Sequence, residues 1–510
     1  MGTIKRFLSG WGIHIVLLPV FFVLHNYLQY YGLVSMEIAL KTLAEILGIV
    51  LLFFVLLLAF TRNAERSFQI TTLVSFAVLF YGVVKDFIGK SARLPFVASY
   101  TVLLPLFILL VIVLCIVIFK SNNFSRMNFF ENLLLLLFIL ADLVSAFVAQ
   151  NGFNAQRNML GNKYSLPDYP VKPAVKPDVY FLLFDSYPGT AFLRNYLQYN
   201  NDTMDSALSK RGFRVIADPK SNYNRTAFSM ASELNFAYLK GIDNATRLRA
   251  IHYNQALYTL RNAAVPEVFM KLGYKVYNLS VFELAGQQPL YKESFLTRSP
   301  QRILLFNTFI ERFRNDLAWH FTGKHARGIF RKFGEVNEAA VFEEEIKKKE
   351  FTAKVVDSAG RIPQEKTIQP KFVYAHIYMP HPPYFYDENG NSNPTGIVLD
   401  KQSYFNRKMF LSYLKYSNKV MTALIDKIVS GSPVPPVIIV QSDHSSTDYE
   451  GVPDIPALCF KNYTAFYFPD KQYNSIYDTL SNINTFPVLF NKYFNTQIPL
   501  QKDTATFLRY

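Results

Sequence analysis

Three short apolar runs in the second half of the chain each lead into residues able to bind a cation or move a proton. Val179-Tyr-Phe-Leu-Leu-Phe184 runs into Asp185-Ser-Tyr-Pro. Lys371-Phe-Val-Tyr-Ala-His-Ile377 carries His376 and is followed by Pro380-His-Pro-Pro-Tyr384, and Pro436-Val-Ile-Ile-Val-Gln441 runs into Ser442-Asp-His-Ser445. Carboxylate oxygen and imidazole nitrogen together suit a divalent ion, zinc or manganese above all. An Asp-His pair alone is commonplace on a surface loop; Asp443-His444 gains weight from following a buried-strand pattern. Three endings of this kind predict one shared site, with Asp185, Asp443 and His444 as metal ligands.

Continuous apolar runs of this length mark strands buried on both faces of a parallel sheet. A helical stretch, Tyr404–Ser430, and a Gly431-Ser-Pro-Val-Pro turn precede the third run. Strands separated by helical pattern predict an α/β domain with a mainly parallel central sheet, and in such sheets chemistry sits at the carboxyl ends of the strands. Residues 240–368 carry mixed helical pattern. Within them Glu343-Glu-Glu-Ile-Lys-Lys-Lys-Glu350 reads as a solvated helix face.

The first part of the chain is different in kind. Five apolar stretches, at about 11–31, 39–60, 67–89, 95–119 and 128–149, are each long enough to cross about 30 Å of hydrocarbon as a helix. Five spans are not a signal peptide. They predict a five-helix transmembrane bundle over 1–150, an extended proline-spaced linker over 151–177, and an extracytoplasmic domain over 178–510. With the N-terminus inside, Lys5, Arg6, Arg62, Arg66, Lys120 and Arg126 fall on the cytoplasmic side, against Lys85, Lys90 and Arg93 outside, which sets the orientation. His25, Lys41, Glu45, Lys85, Asp86 and Asp142 fall toward the outer half of the spans, where ionisable groups need partners. They either line a polar recess that admits a lipid head group, or pair to fix helix packing. The net charge of +15 suits anionic lipid and phosphate-bearing substrates, and no nucleic acid is expected. Cys115 lies within a span and Cys459 in the outer domain, so the two do not pair.

Six stretches, in order, resemble the sulfatase-like branch of the alkaline phosphatase superfamily, in particular membrane-anchored lipoteichoic acid synthases and lipid phosphoethanolamine transferases. They are Asp178–Asp185, Ser221-Asn-Tyr-Asn-Arg-Thr-Ala-Phe-Ser-Met-Ala-Ser232, His376–Tyr384, Val437–His444, Asn462–Pro469 and Asn482–Asn491. The resemblance implies a hydroxyl nucleophile that is also a metal ligand at a helix N-terminus, and Thr226 stands at that position. Asn222 and Asn224 read as helix-start residues, and Ser229, one turn on, is the alternative nucleophile. The resemblance further implies that His381 contacts the substrate or leaving group. His376, Arg225 and Tyr384 are candidate substrate-binding residues, with core or solvent-exposed roles as the alternatives.

The Cys/Ser-x-Pro-x-Arg setting of arylsulfatases is missing after Thr226, which disfavours sulfate-ester hydrolysis. Two departures from the relatives are the lack of a disulfide-rich domain and Ser445 where a glycine often follows Asp-His. The implied activity is transfer of a phosphorus-containing head group, phosphoethanolamine or phosphoglycerol, from a membrane phospholipid to a lipid or glycan acceptor. The implied setting is a bacterial cytoplasmic membrane. A membrane-bound phosphodiesterase, phosphatase or sulfatase-like hydrolase is the first alternative, and a catalytically silent binding protein the second.

Overall fold

The computed structural model describes residues 8–30, 34–91, 99–121, 123–160, 176–248, 250–291, 300–316, 338–398 and 400–509. The chain divides into two compact units: one holds the residues up to 155 together with 300–316, and the other the remainder. Most of the expected linker, residues 161–175, lies outside the described residues, and α5 extends into its beginning.

The first unit contains α1 (His14–Gln29), α2 (Met36–Thr61), α3 (Ala64–Ser91), α4 (Tyr100–Lys120) and α5 (Ser125–Arg157). Among the described residues four of these are long and apolar enough to cross a membrane, α2 to α5. The first expected span is shorter: α1 has 16 residues, about 24 Å at 1.5 Å per residue. Large apolar side chains stand exposed along the long helices, among them Ile49, Phe60, Leu109 and Phe147. A row of that kind is stable against hydrocarbon and not against water. Ser35 caps α2 by accepting the Ile38 N–H at 3.3 Å.

The ionisable groups expected toward the outer half pair separately. His25 Nδ1 lies 3.1 Å from Asp142 Oδ1, joining α1 to α5, and Lys85 Nζ stands 4.2 Å from the centre of the Tyr100 ring. Glu45 and Asp86 take partners from a segment remote in sequence. The short helices Pro300–Leu304 and Phe309–Asp316 lie on this bundle. Gln301 Nε2 donates to Glu45 at 2.7 Å, Arg312 pairs with Asp86, and Leu304 is fully buried among Phe22, Val23 and Leu79. Separate pairs of this kind fit helix packing better than a single recess.

Gly82 permits the close approach of that segment: its N–H donates to Asn307 O at 2.8 Å, and an added Cβ would sit 2.5 Å from Arg312 Nε and 2.9 Å from Asn307 O. Gly82→Ala is therefore expected to destabilise the docked segment by about 1–3 kcal/mol. Amide hydrogen exchange should accelerate across 300–316 while the sheet of the other unit is unchanged; equal protection in variant and wild type would contradict this packing.

The second unit is built on six strands, β1 (Val179–Phe184), β2 (Arg214–Val215), β3 (Lys275–Leu279), β4 (Lys371–Ile377), β5 (Val437–Gln441) and β6 (Thr464–Tyr467), in the order β2-β6-β5-β1-β4-β3. β5, β1, β4 and β3 run parallel; β6 is antiparallel to β5 and β2 antiparallel to β6, so the sheet is mixed. The apolar runs fall where the sequence places them. β1 is central and all six of its side chains are fully buried, as expected for a strand covered on both faces.

Register fixes the site. Leu183 of β1 lies opposite His376 on one side and Gln441 on the other. Asp185 and Asp443 therefore leave adjacent parallel strands at the same level, with His376 one strand away. Four helices complete the frame: α6 (Thr226–Glu233), α7 (Glu338–Arg361), α8 (Arg407–Gly431) and α9 (Thr485–Phe494). α7 packs on β4 and α8. Asn406 caps α8 by accepting the Met409 N–H at 3.0 Å.

Candidate active site

Asp185, Asp443 and His444 each offer a ligand atom, and these atoms lie within 4.8 Å of one another. Thr226 Oγ1, at the first position of α6, lies 3.3 Å from His444 Nε2. Residues separated by up to 259 positions thus meet at the carboxyl edge of the sheet.

The turn after β1 is drawn tight. Ser186 holds φ of 58°, a left-handed conformation uncommon outside glycine. That turn aims the Ser186 N–H at Asp443 Oδ1 (3.0 Å) and its hydroxyl at Asp185 Oδ1 (3.0 Å), tying the ends of β1 and β5 together. Tyr187 N donates to Ser442 Oγ at 2.8 Å and adds a second tie.

The ring protons follow from the partners. His444 Nδ1 lies 2.9 Å from the Ser445 carbonyl, which only accepts, so Nδ1 carries the proton and Nε2 presents a lone pair. That lone pair is 3.2 Å from Asp443 Oδ2, a fully buried oxygen with no hydrogen-bond partner among the described residues. Two acceptors held this close are repulsive unless a cation or proton lies between them. Oxygen, oxygen and imidazole nitrogen in this arrangement fit a divalent ion, with Thr226 Oγ1 beside it.

His376 is fully buried behind Asp185. Its Nε2 donates to Asp185 Oδ2 at 3.0 Å, while Nδ1 lies 3.4 Å from the Tyr374 hydroxyl. Its place orients the carboxylate and leaves no room to touch substrate. Burial alone would push the Asp185 carboxyl up; in the acid range, where the imidazoles carry charge, His381, the His376 hydrogen bond and His444 outweigh it and hold Asp185 below the usual carboxylate range. Tyr384 is fully buried and its hydroxyl donates to Tyr404 O at 2.7 Å, so it is a core residue. Arg225 is half-buried at the N-cap of α6, immediately before Thr226.

His381 donates from Nδ1 to the Pro382 carbonyl, which leaves Nε2 for a substrate. Burial pushes this imidazole below its ordinary value, and Lys348 lowers it further against the opposing charge of Asp185. His381 is thus neutral near pH 7, with a free lone pair on Nε2.

Lys347 and Glu350 are exposed, as a solvated face over 343–350 predicts, but Glu345 and Lys348 depart from it. Glu345 and Lys348 form an ion pair at 3.6 Å with side chains only 14% and 16% exposed. Three residues on, along the same face of α7, Phe351 packs against Tyr378, which stacks on His376 and meets His381 edge-on. A run of alternating charge carries no signal that separates a face turned to water from one turned into a site; burial of Phe351 decides it here.

Two further expectations are corrected. Asn222 and Asn224 do not cap α6: its N-cap is Arg225, with no side-chain cap bond, and both asparagines bond elsewhere. Ser229 is buried, and its hydroxyl donates to the Asp443 carbonyl at 2.7 Å, so it braces the ligand loop.

Glu233, at the other end of α6, was not anticipated. It is fully buried, neither carboxylate oxygen has a hydrogen-bond partner among the described residues, and burial together with the charge of Asp443 pushes it well above its ordinary value of 4.5. It is therefore carried as the neutral acid. Unfolded Glu233 ionises from about pH 4.3 upward, whereas the folded group stays protonated, so stability is lost as pH rises toward the folded value. Glu233→Gln removes that loss. The gain in melting temperature of chelated variant over chelated wild type should grow from pH 5 to pH 8, and a difference independent of pH would contradict the assignment.

No family model and no curated protein matches the chain. Solved structures do. The C-terminal periplasmic domain of EcEptC from Escherichia coli is 12% identical, covering 68% of this chain and 94% of its own, at a TM-score of 0.40. A protein in the alkaline phosphatase superfamily from Vibrio parahaemolyticus is 14% identical over 66% and 70%, at 0.36. The integral membrane protein lipooligosaccharide phosphoethanolamine transferase A from Neisseria meningitidis is 12% identical over 96% of both chains, at 0.38. Likenesses at this level assign no role to any residue. By these comparisons the chain is similar to a phosphoethanolamine transferase and to a protein in the alkaline phosphatase superfamily.

Proposed function

We propose that this protein is a membrane-embedded, metal-dependent transferase. It moves a phosphorus-containing head group, phosphoethanolamine or phosphoglycerol, from a membrane phospholipid to a lipid or glycan acceptor. The observation that carries the reading is the placement of Thr226 Oγ1 3.3 Å from His444 Nε2, beside the Asp185, Asp443 and His444 cluster and at a helix N-terminus.

Asp185, Asp443, His444 and Thr226 Oγ1 would hold the ion, zinc or manganese by ligand type. When bound, it favours the ionised Thr226 hydroxyl and offsets charge on the phosphoryl group. Thr226 then bonds to phosphorus as the bond from phosphorus to the donor's lipid alcohol breaks. An acceptor hydroxyl displaces Thr226 in the second half. In the first half His381 Nε2, neutral at rest, takes the proton of the Thr226 hydroxyl and passes it to the departing lipid oxygen; in the second half it takes the acceptor's proton and returns it to Thr226. The first backbone N–H groups of α6 have no partner within the helix, which favours an anion at Thr226. Lys348 adds positive charge on the α7 side.

In this reading α1 is a fifth crossing and the N-terminus is cytoplasmic, so the catalytic unit works on the outer face of a bacterial cytoplasmic membrane. The test is the stoichiometry of diacylglycerol release from a purified phospholipid donor. Without acceptor, a transferase releases about one equivalent and stops; continuous release into water would assign a phosphodiesterase, and none at all a binding protein.

A further inference from the structure

We propose that Asn222 and Asn224 are positioning residues that hold the Thr226 hydroxyl in register by clasping the segment Thr504–Arg509 as a strap across the turn 221–226. The proposal rests on the reading of Thr226 as nucleophile.

An asparagine side chain carries a carbonyl acceptor beside an amide N–H donor, so it can stand in for a peptide unit. Asn224 does so: its Oδ1 accepts the Leu508 N–H at 2.8 Å and its Nδ2 donates to Leu508 O at 3.2 Å. Asn222 binds the strap by both main and side chain. Its carbonyl accepts the Thr506 N–H at 2.9 Å, its Nδ2 donates to Thr504 O at 2.8 Å, and its Oδ1 accepts the Ile483 N–H at 2.8 Å. Tyr223, between them, forms a parallel bridge with Thr506. Leu508 is fully buried, and the two asparagines are 1% and 5% exposed. At the buried Asn224–Leu508 pair water cannot substitute for these bonds.

Position gives the clasp its consequence. The two asparagines precede Thr226 by four and two residues, and α6 has no side-chain cap to fix where it begins. The strap supplies that reference. It also reaches the ligand loop: Asn482, next to the Ile483 held by Asn222, donates from Nδ2 to Ser442 O at 2.9 Å, and Asn462 bridges Asn482 and Ser442 at 2.9 and 2.6 Å. One hydrogen-bonded chain thus runs from the strap to the residue before Asp443. Its effect is to set nucleophile and ligands against each other, and misplacement of a reacting group by about 1 Å can cost on the order of 10²-fold in rate.

The experiment uses the full chain in detergent with a purified phospholipid donor, and follows single-turnover formation of the Thr226 adduct per folded molecule. Asn222→Ala and Asn224→Ala should each slow that step by about 10²-fold with lipid affinity and metal content unchanged. Asn224→Asp, which keeps the acceptor and loses the donor, should recover part of the rate. Thr506→Pro removes the N–H donated to Asn222 O without touching the turn, and should slow the step in the same way if an asparagine variant fails to fold. A purely structural clasp would lower the folded fraction and leave the rate per folded molecule at the wild-type value; that result overturns the proposal. A wild-type protein that forms no adduct on Thr226 refutes the nucleophile reading, and the strap falls with it.

Discussion

Replacing Thr226 by alanine is expected to abolish turnover, by about 10⁴-fold or more, while leaving the protein folded. In the proposed mechanism Thr226 Oγ1 would carry the covalent intermediate, so losing it removes the route itself. The fold should tolerate the change because Thr226 is only half-buried and alanine suits a helix. Ser229→Ala separates the two hydroxyls. Ser229 donates to the Asp443 carbonyl at 2.7 Å inside the protein, so its loss costs one hydrogen bond, about 1 kcal/mol, and less than about tenfold in rate. Turnover and melting temperature measured on both variants check this. An active alanine variant at 226 together with a dead one at 229 would reverse the assignment.

The second large effect concerns Asp443, and its sign depends on the metal. Asp443 Oδ1 is taken by the Ser186 N–H, while Oδ2 faces the lone pair of His444 Nε2 at 3.2 Å. In wild type a bound divalent ion would offset this opposition, and at a hundredfold excess over Kd its binding would stabilise the fold by about 2.7 kcal/mol. Chelation should therefore lower the melting temperature by several degrees. Asp443→Asn turns the result round. Its amide can donate to His444 Nε2, so the variant should melt higher than chelated wild type, show no response to zinc or manganese, and have no activity. A variant that melts below chelated wild type would mean that the two acceptors are not opposed.

Much of this site was legible in the sequence because buried parallel strands announce themselves. β1, β4 and β5 are short apolar runs, and the residues just after such a run stand at the carboxyl edge of a sheet. Asp185, Asp443 and His444 needed only that argument. Thr226 came from a resemblance in its flanking residues. What stayed hidden depends on contacts between segments far apart in the chain. Glu345 and Lys348 lie in a charged run whose pattern also fits a solvated face. Asn222 and Asn224 have the composition of helix caps and serve instead to bind a strap 282 and 284 residues away. The mixed sheet was hidden for a similar reason, since β6 carries the same apolar pattern whichever way it runs. Apolar residues continue past both ends of α1, so the sequence pattern suggests a longer helix than the one that forms.

The most direct test of the account is mass spectrometry of the purified protein after brief incubation with its phospholipid donor and a divalent ion in the absence of acceptor. The predicted result is a head-group phosphoryl adduct confined to the peptide containing Thr226, formed in wild type and Ser229→Ala and missing from Thr226→Ala and Asp443→Asn. An adduct on a different residue, or diacylglycerol released at full rate by Thr226→Ala, would contradict it.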